Sequence, residues 1–138
     1  MLFAVTHPPI SQMLATLDPD IVEGAAGEKP CVTYTRLASD GDRASIGNTS
    51  AEFPFPAAVT RPGVAFLPTS YVRRMLETFI GKEMILGFEL SINDRGWAQV
   101  RFGDRRELIP PTEYAYFDKP STAPTLPPAS LDRSVKAE

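Results

Sequence analysis

The stretch from Arg61 to Leu90 reads RPGVAFLPTSYVRRMLETFIGKEMILGFEL and contains the clearest secondary-structure pattern of the chain. Its centre, 69–80, repeats apolar side chains at three- and four-residue spacing, which predicts an amphipathic helix. Pro68 and a Thr/Ser cap precede this helix, and Gly81 supplies its C-terminal stop. Apolar runs on both sides of the helix predict strands, at 64–67 and 84–92.

Outside this stretch, short alternating segments and turns dominate the sequence. Asp-Gly tolerates the positive φ of a tight turn, so Asp40-Gly41-Asp42 predicts a hairpin between 32–37 and 43–48. A second hairpin turns at 93–96 and leads into strands at 97–102 and 105–109.

Two further segments complete the expected elements. An apolar repeat from Ile10 to Ile21, interrupted by Pro19, predicts a short first helix. The segment 52–59 alternates around two phenylalanines but contains two prolines, which favours an edge or irregular strand. The predicted fold is therefore α+β, with two helices packed on antiparallel sheets.

Composition limits the classes of function. The chain has 138 residues, a formal net charge of −3, one Cys and one His. A chain of this length buries enough surface to fold as one domain without a disulfide, and it has too few ligands for an ordinary zinc site, so we expect no metal. The charge excludes a globally basic nucleic-acid binder but not a local basic patch. No segment has the pattern of a signal peptide or a membrane span, so we expect a cytoplasmic protein without membrane contact.

The last part of the chain differs in composition from the rest. From Asp118 it reads DKPSTAPTLPPASLDRSVKAE, with prolines among small polar residues and no aromatic side chain. Such a segment cannot bury enough surface to fold alone. We therefore divide the chain into one domain, 1–117, and a flexible Pro-rich tail, 118–138.

No group of residues has the pattern of a catalytic site. His7 stands before a Pro-Pro step, where a surface or capping role is the simpler interpretation. Cys31 opens a strand and is interpreted as a small buried side chain. Asp18, Asp20 and Glu23 are typical of a solvated helix end. We expect no catalytic residue, no cofactor and no enzyme activity.

Positive charge gathers in the second half of the domain. Arg73 and Arg74 lie on the polar side of the predicted second helix, with Lys82 just beyond it. Such side chains contact DNA phosphates without sequence preference, although on charge alone a solvated helix face is the simpler explanation. A second basic group is explained equally well by the protection of a sheet edge, and it comprises Arg101, Arg105 and Arg106.

The order of these elements resembles one domain of the bacterial replicative sliding clamp, the beta subunit of DNA polymerase III, along about 1–117. MLFAVTHPPISQMLATL is similar to the clamp's first strand and first helix, and VTYTRLASDGDRASIGNTSAEFPFPAAV to its long hairpin and following strand. RPGVAFLPTSYVRRMLETFIGKEMILGFEL matches the strand, Pro-capped second helix and return strand of the family. WAQVRFGDRRELIPPTEYAYF completes the domain.

In that family, each domain presents two helices toward a central hole that encircles duplex DNA, and six domains close a ring. The resemblance implies that this chain self-associates through its sheet edges, as a homo-oligomer from dimer to hexamer. It also implies that Arg73, Arg74 and Lys82 face duplex DNA, and that DNA-processing proteins are further partners. The first helix departs from the pattern, because its polar positions carry no basic residue.

Two functions are left open. The first is a non-enzymatic sliding-clamp-like protein in DNA replication or processing, which encircles duplex DNA or contacts it non-specifically. The second is a small protein-interaction or regulatory module that uses a clamp-like fold and its Pro-rich tail without binding DNA. Pro-rich segments are already extended and lose little entropy on docking. Deletion of the tail discriminates the two, because only the second function requires it.

Overall fold

A computed structural model describes residues 1–22, 30–48, 50–81 and 85–123. The elements in chain order are β1 (Leu2–Thr6), α1 (Ile10–Thr16), β2 (Ile21–Val22), β3 (Cys31–Val32), β4 (Tyr34–Asp40), β5 (Arg43–Gly47), β6 (Glu52–Pro56), β7 (Ala58–Arg61), β8 (Gly63–Pro68), α2 (Thr69–Thr78), β9 (Ile85–Ile92), β10 (Ala98–Phe102), β11 (Arg105–Ile109) and β12 (Ala115–Phe117). Short 3₁₀ turns at Pro111–Glu113 and Pro120–Thr122 flank the last strand. Neither helix of this described part is long and apolar enough to cross a membrane.

Within these ranges the strands form two five-stranded antiparallel sheets and a two-stranded ribbon. The first sheet has the order β11-β10-β9-β1-β7, the second has the order β12-β8-β4-β5-β6, and β2 pairs with β3. One core cluster takes buried side chains from both sheets and both helices, among them Phe3, Met13, Leu37 and Val72. The predicted α+β class, with helices packed on antiparallel sheets, is confirmed.

The helix α2 follows the fully buried strand β8 and buries one of its sides. Pro68 occupies the position before the first helical residue, and no side chain caps the helix there. The expected Thr/Ser cap is therefore wrong, because the Thr69 hydroxyl instead lies 3.0 Å from the Thr35 hydroxyl, and both groups are buried. Gly81 has a φ of +77°, which agrees with the predicted glycine stop. The buried residues of α2 are Thr69, Tyr71, Val72, Met75 and Leu76.

The helix α1 is shorter than the apolar repeat of the sequence. Leu17 is already extended, two residues before Pro19, and the Asn48 side-chain amide donates to the Thr16 carbonyl at the helix end. Proline disfavours helical backbone in the residue before it, here Asp18, so the helix cannot continue through this segment. Ile21 consequently lies in β2 and is 60% exposed, so its assignment to the apolar face of the helix is wrong.

Both predicted hairpins are present. In β4–β5, Asp40 pairs with Arg43, and Gly41 in the intervening turn has a φ of +64°. In β9–β10, the Asn93 carboxamide oxygen accepts from the backbone N–H groups of Arg95 and Trp97, at 2.9 and 3.0 Å. Glycine at positive φ and asparagine accepting from the backbone are thus used in these turns as their chemistry favours.

The segment predicted as one strand at 52–59 divides between the two sheets. β6 pairs with β5 at the edge of the second sheet, whereas β7 pairs with β1 at the edge of the first. Ala57 lies between them, and its N–H donates to the Asp42 carbonyl at 3.0 Å. This short crossing carries the chain from one sheet to the other.

The final described segment packs on the second sheet. β12, which no sequence pattern indicates, pairs with β8, and Phe117 meets Phe66 edge to face at 6.3 Å. Ala123 packs against the cluster of Tyr34, Val64 and Phe66. The first residues of the predicted tail therefore contact the domain. Residues 124–138 lie outside the described residues, so the domain boundary and the flexible tail stay predictions.

Candidate nucleic-acid interface

The polar side of α2 is where the sequence places phosphate contacts. Because the helix turns its apolar side to the core, Arg73, Arg74 and Glu77 lie on its other sides. Arg74 and Glu77 are exposed and Arg73 is half-buried. The two arginines are adjacent in sequence, yet their surroundings differ.

Arg73 is held within the molecule by the loop that follows α1. Its Nε donates to the Asp20 carboxylate at 2.9 Å, and its Nη2 donates to the Asp18 carbonyl at 2.6 Å. These bonds join α2 to the loop after α1, and they occupy donors on two of the three guanidinium nitrogens. The assignment of Arg73 to DNA stays a prediction, and a phosphate would have to compete with both acceptors.

Arg74 lies one helical turn before Thr78, on the side of α2 that approaches the start of β11. The Thr78 hydroxyl, one turn later, donates to the Arg74 carbonyl at 2.9 Å. Arg105, at the start of β11, donates from Nη1 to the same hydroxyl at 3.3 Å. Arg105 therefore lies beside the second helix, which the sequence does not indicate.

The basic group of 101–106 is divided between the two sides of the first sheet. Arg105 pairs across the sheet with the buried Phe102, which places it on the helix side. Arg101 and Arg106 pair with each other on the opposite side. There the Arg101 guanidinium donates to the Glu89 carboxylate at 3.2 Å and to the Gly103 carbonyl at 2.9 Å. The alternation of a strand thus separates residues that are neighbours in sequence.

Lys82, the third predicted phosphate contact, lies outside the described residues. α1, which packs beside α2, has the sequence ISQMLAT and carries no charged side chain. Its exposed polar residues are Ser11 and Gln12. In the described part, the positive charge of the helix pair therefore comes from α2 alone.

The ring of Tyr71 packs against Phe102, the strand partner of Arg105, and Arg74 follows Tyr71 by one turn of α2. Burial raises the pKa of the Tyr71 hydroxyl above its ordinary value, and the Glu107 carboxylate raises it further. The charges of Arg74 and Arg105 act on this pKa in the opposite direction. Within the described residues, the Tyr71 hydroxyl is buried and has no hydrogen-bond partner.

The groups considered for catalysis do not come together. His7 is exposed in the turn between β1 and α1, with a φ of +53°. Cys31 is exposed on β3, so its interpretation as a buried side chain is wrong; both strands of this ribbon are exposed. Asp18 and Asp20 hold Arg73, and Glu23 lies outside the described residues. In the described ranges, no three His, Cys, Asp or Glu side chains form a group that could hold a metal ion.

The edges of the two sheets differ in how far they are protected. β6 contains Pro54 and Pro56, which cannot donate to an added strand. β7 and β12 are short, with four and three residues. β11 has five residues without a proline, and its Leu108 side chain is 54% exposed. Charged side chains give β11 some protection, but among the described edges it is the most accessible to another strand.

No protein-family model matches the chain, and no curated protein sequence matches it. Among solved structures, the chain is similar to the DNA polymerase sliding clamp from Caulobacter crescentus, with a TM-score of 0.60 and 13% sequence identity, over 93% of this chain and 33% of the clamp chain. A structure of Caulobacter crescentus pol III beta gives a TM-score of 0.60 and 13% identity, over 92% of this chain and 33% of that chain.

These matches establish the fold. The chain has the architecture of a single sliding-clamp domain, as the sequence predicts, and it spans 33% of the length of the clamps that it matches. At 13% sequence identity, this structural similarity shows a shared fold and does not show a shared activity.

Proposed function

We propose that this protein is a non-enzymatic clamp-type subunit in DNA replication or processing, which joins further copies of itself edge to edge and contacts duplex DNA non-specifically. The observation that carries the proposal is the match of 93% of this chain to one part, 33%, of a DNA polymerase sliding clamp. A domain that corresponds to a fraction of a ring-forming protein requires further domains to complete a ring. Copies of the same chain are the simplest source of them.

The edge strand β11 supports self-association. An edge strand offers unpaired N–H and C=O groups, and pairing with a second chain satisfies them. Leu108, 54% exposed on this edge, would bury its side chain in such a contact. Trp97, 38% exposed just before β10, offers a further apolar surface close to the same edge.

Arg74 and Lys82 support the contact with DNA. Arg74 is exposed on α2, and Lys82 follows that helix in the sequence. Contacts of this kind are weak and salt-sensitive, which suits a protein that moves along a duplex without reading its sequence. Arg73 contributes only if its guanidinium leaves Asp20.

The test is the mass in solution by light scattering, at several protein concentrations, with and without duplex DNA at low salt. A concentration-dependent oligomer up to a hexamer, which the duplex stabilises, is the expected result. A monomer at every concentration that is indifferent to DNA would overturn the proposal. Retention on a circular plasmid and release after the plasmid is cut would then separate encirclement from simple contact.

A matched pair of variants locates the assembly surface. Leu108→Lys places a charge on the β11 edge and should weaken self-association about tenfold, the scale for an interface residue worth about 1 kcal/mol or more. Ile80→Lys is the control, because Ile80 and Leu108 are both 54% exposed but Ile80 follows α2. Equal effects of the two variants would exclude β11 as the specific assembly edge.

The second function, a protein-interaction module that works without DNA, is favoured by one observation. Arg73, one of the two arginines on α2, is bound to Asp20, so the helix pair has less available positive charge than the sequence predicts. Deletion of 124–138 distinguishes the two functions. The clamp-type function predicts unchanged assembly and DNA affinity after the deletion, whereas the second function predicts loss of a partner that the full chain binds.

A further inference from the structure

Four side chains between α2 and β11 form a group here named the donor cluster, because two guanidiniums and one phenol supply its hydrogen-bond donors. Its members are Tyr71, Arg74, Thr78 and Arg105. The hydrogen bond of 3.3 Å from Arg105 Nη1 to Thr78 Oγ1 fixes the approach of the strand to the helix. Arg74 is one turn from Thr78 on the same helix, so both guanidiniums lie on one side of α2.

The Tyr71 hydroxyl is the unusual member of this cluster. The residue is 4% exposed, and its hydroxyl is one of the buried side-chain groups in the described part that lack a hydrogen-bond partner. A tyrosine hydroxyl keeps its proton at neutral pH and is therefore a donor, and burial raises the pKa of this one further. A buried donor without an acceptor is costly, and most such groups in proteins are satisfied.

The charges around the hydroxyl indicate which acceptor is missing. The Tyr71 ring packs against Phe102, the strand partner of Arg105, with 6.3 Å between ring centroids. Arg74 follows Tyr71 by one turn of α2, so both cations lie near the tyrosine. The Thr78 hydroxyl already donates to the Arg74 carbonyl, so toward Arg105 it accepts. Two permanent cations and one buried phenol therefore offer donors at the contact of α2 with β11. Two carboxylates are near them, Glu107 on β11 and Glu77, which is three residues after Arg74 on α2.

We propose that the donor cluster binds a phosphate-class oxyanion. Guanidinium groups match the geometry of phosphate oxygens and bind them through two parallel hydrogen bonds. A phosphate oxygen between Arg74 and Arg105 would also give the Tyr71 hydroxyl its acceptor, after a small movement of the side chains that cover it. The phosphate comes either from the backbone of duplex DNA, which rests on the proposed function, or from a free phosphate compound, which does not.

The carboxylate of Glu107 would compete with this anion for the donors of the cluster. Glu107 lies on β11, two residues after Arg105, and it is half-exposed. Its negative charge opposes an incoming phosphate. Replacement of Glu107 by glutamine should consequently raise the affinity for a phosphate, whereas an ordinary surface patch would respond only to net charge.

The experiment measures binding of inorganic phosphate and, separately, of a short duplex DNA by titration calorimetry at low salt. Arg105→Gln and Arg74→Gln should each lower the affinity about tenfold, and each should reduce the slope of log affinity against log salt for DNA by about 1. Glu107→Gln should raise both affinities. Arg95→Gln is the matched control, because Arg95 is exposed in the β9–β10 turn outside the cluster and its loss changes net charge equally.

Tyr71→Phe separates a binding role from a structural one. Removal of an unpartnered hydroxyl should leave the thermal stability of the anion-free protein unchanged or higher, while the phosphate affinity falls about threefold to tenfold. If the variant loses stability and binds phosphate normally, the hydroxyl is structural and the proposal fails.

The two titrations distinguish the sources of the phosphate. If Arg105→Gln weakens both ligands, the site takes the DNA backbone. If the protein binds inorganic phosphate through Arg105 but no duplex, the site stands and the proposed DNA contact fails. If neither ligand binds, or if Arg105→Gln behaves like Arg95→Gln, the site itself is overturned.

Discussion

The two helices of this domain pack against each other and against different strands of the second sheet, and they differ in what they contribute. α2 has ten residues, buries five of them and carries two arginines on its other sides. α1 has seven residues, buries Ile10 and Met13, and carries no charge. The stabilising contacts and the positive charge are thus concentrated in one helix of the pair.

This difference shows how unequally a domain of this fold can divide buried contacts and positive charge between its helices. At the start of α2, the buried hydroxyls of Thr35 and Thr69 are in contact. At the end of α1, the Asn48 side chain, which follows β5, donates to the Thr16 carbonyl. A short helix of this kind forms because of its tertiary contacts and not because of its own propensity. The following predictions test whether the inequality holds.

The largest difference is expected in the core. Met75→Ala should cost about 3–5 kcal/mol in the free energy of unfolding, because Met75 is fully buried, as are its helix neighbours Val72 and Leu76. Met13→Ala makes the same chemical change in α1 and should cost only about 2 kcal/mol, since the partly buried Leu14 and Leu17 can move into the space. Urea unfolding of both variants measures the difference, and equal losses would show that α1 is packed as firmly as α2.

The next effect concerns the hydroxyl pair at the start of α2. Thr69→Val should cost about 1–3 kcal/mol, because it leaves the buried Thr35 hydroxyl without its partner. The double variant Thr35→Val/Thr69→Val should recover most of this loss, since it removes both polar groups. Thermal unfolding of the single and double variants checks the coupling, and simple additivity of the two changes would contradict it.

The absence of charge on α1 predicts a gain in DNA affinity. Ser11→Lys/Gln12→Lys should raise the affinity for duplex DNA about tenfold and steepen its salt dependence by about 2, if α1 faces the duplex beside α2. The control is Thr60→Lys/Thr112→Lys, which adds the same charge at exposed positions on β7 and in a 3₁₀ turn. Fluorescence anisotropy with labelled duplex compares them, and equal gains would place the duplex away from the helices.

The smallest effect is expected for the contact that joins α2 to the loop after α1. Asp20→Asn removes the charge that faces Arg73 and should cost about 0.5 kcal/mol or less, because both side chains are partly exposed and solvent screens the pair. The same change should raise DNA affinity slightly, as Arg73 becomes more available. Unfolding at low and high salt measures it; a large, salt-independent loss would mean that the loop depends on Asp20 for more than charge.

The parts of the fold that the sequence predicted are those governed by local chemistry. Apolar spacing predicted a helix at 69–80, and the structure has it at Thr69–Thr78; the two hairpins followed from Gly41 and from Asn93-Asp94-Arg95-Gly96. In each case the deciding residues are neighbours along the chain. The clamp-domain architecture followed from the order of these local elements, which the fold preserves.

The parts of the fold that the sequence did not predict depend on contacts between residues far apart along the chain. The alternation of 52–59 is continuous in sequence, and only strand pairing shows that Ala57 separates two sheets. The ribbon of β2 and β3 has two residues in each strand, too few to form a pattern. The site shows the same limit, because the partner of Arg73 and the position of Arg105 beside Thr78 follow from tertiary packing.

The position of β1 inside the first sheet has a consequence for the way the protein is made. Phe3 pairs with Val59 on one side and with Phe88 on the other. The strand can therefore pair fully only after the ribosome has synthesised segments far along the chain. Pairing between such distant segments is slow, and an unpaired apolar strand is prone to aggregation in the meantime. LFAVT is therefore the segment of the nascent chain that we expect a chaperone to shield until β9 has emerged.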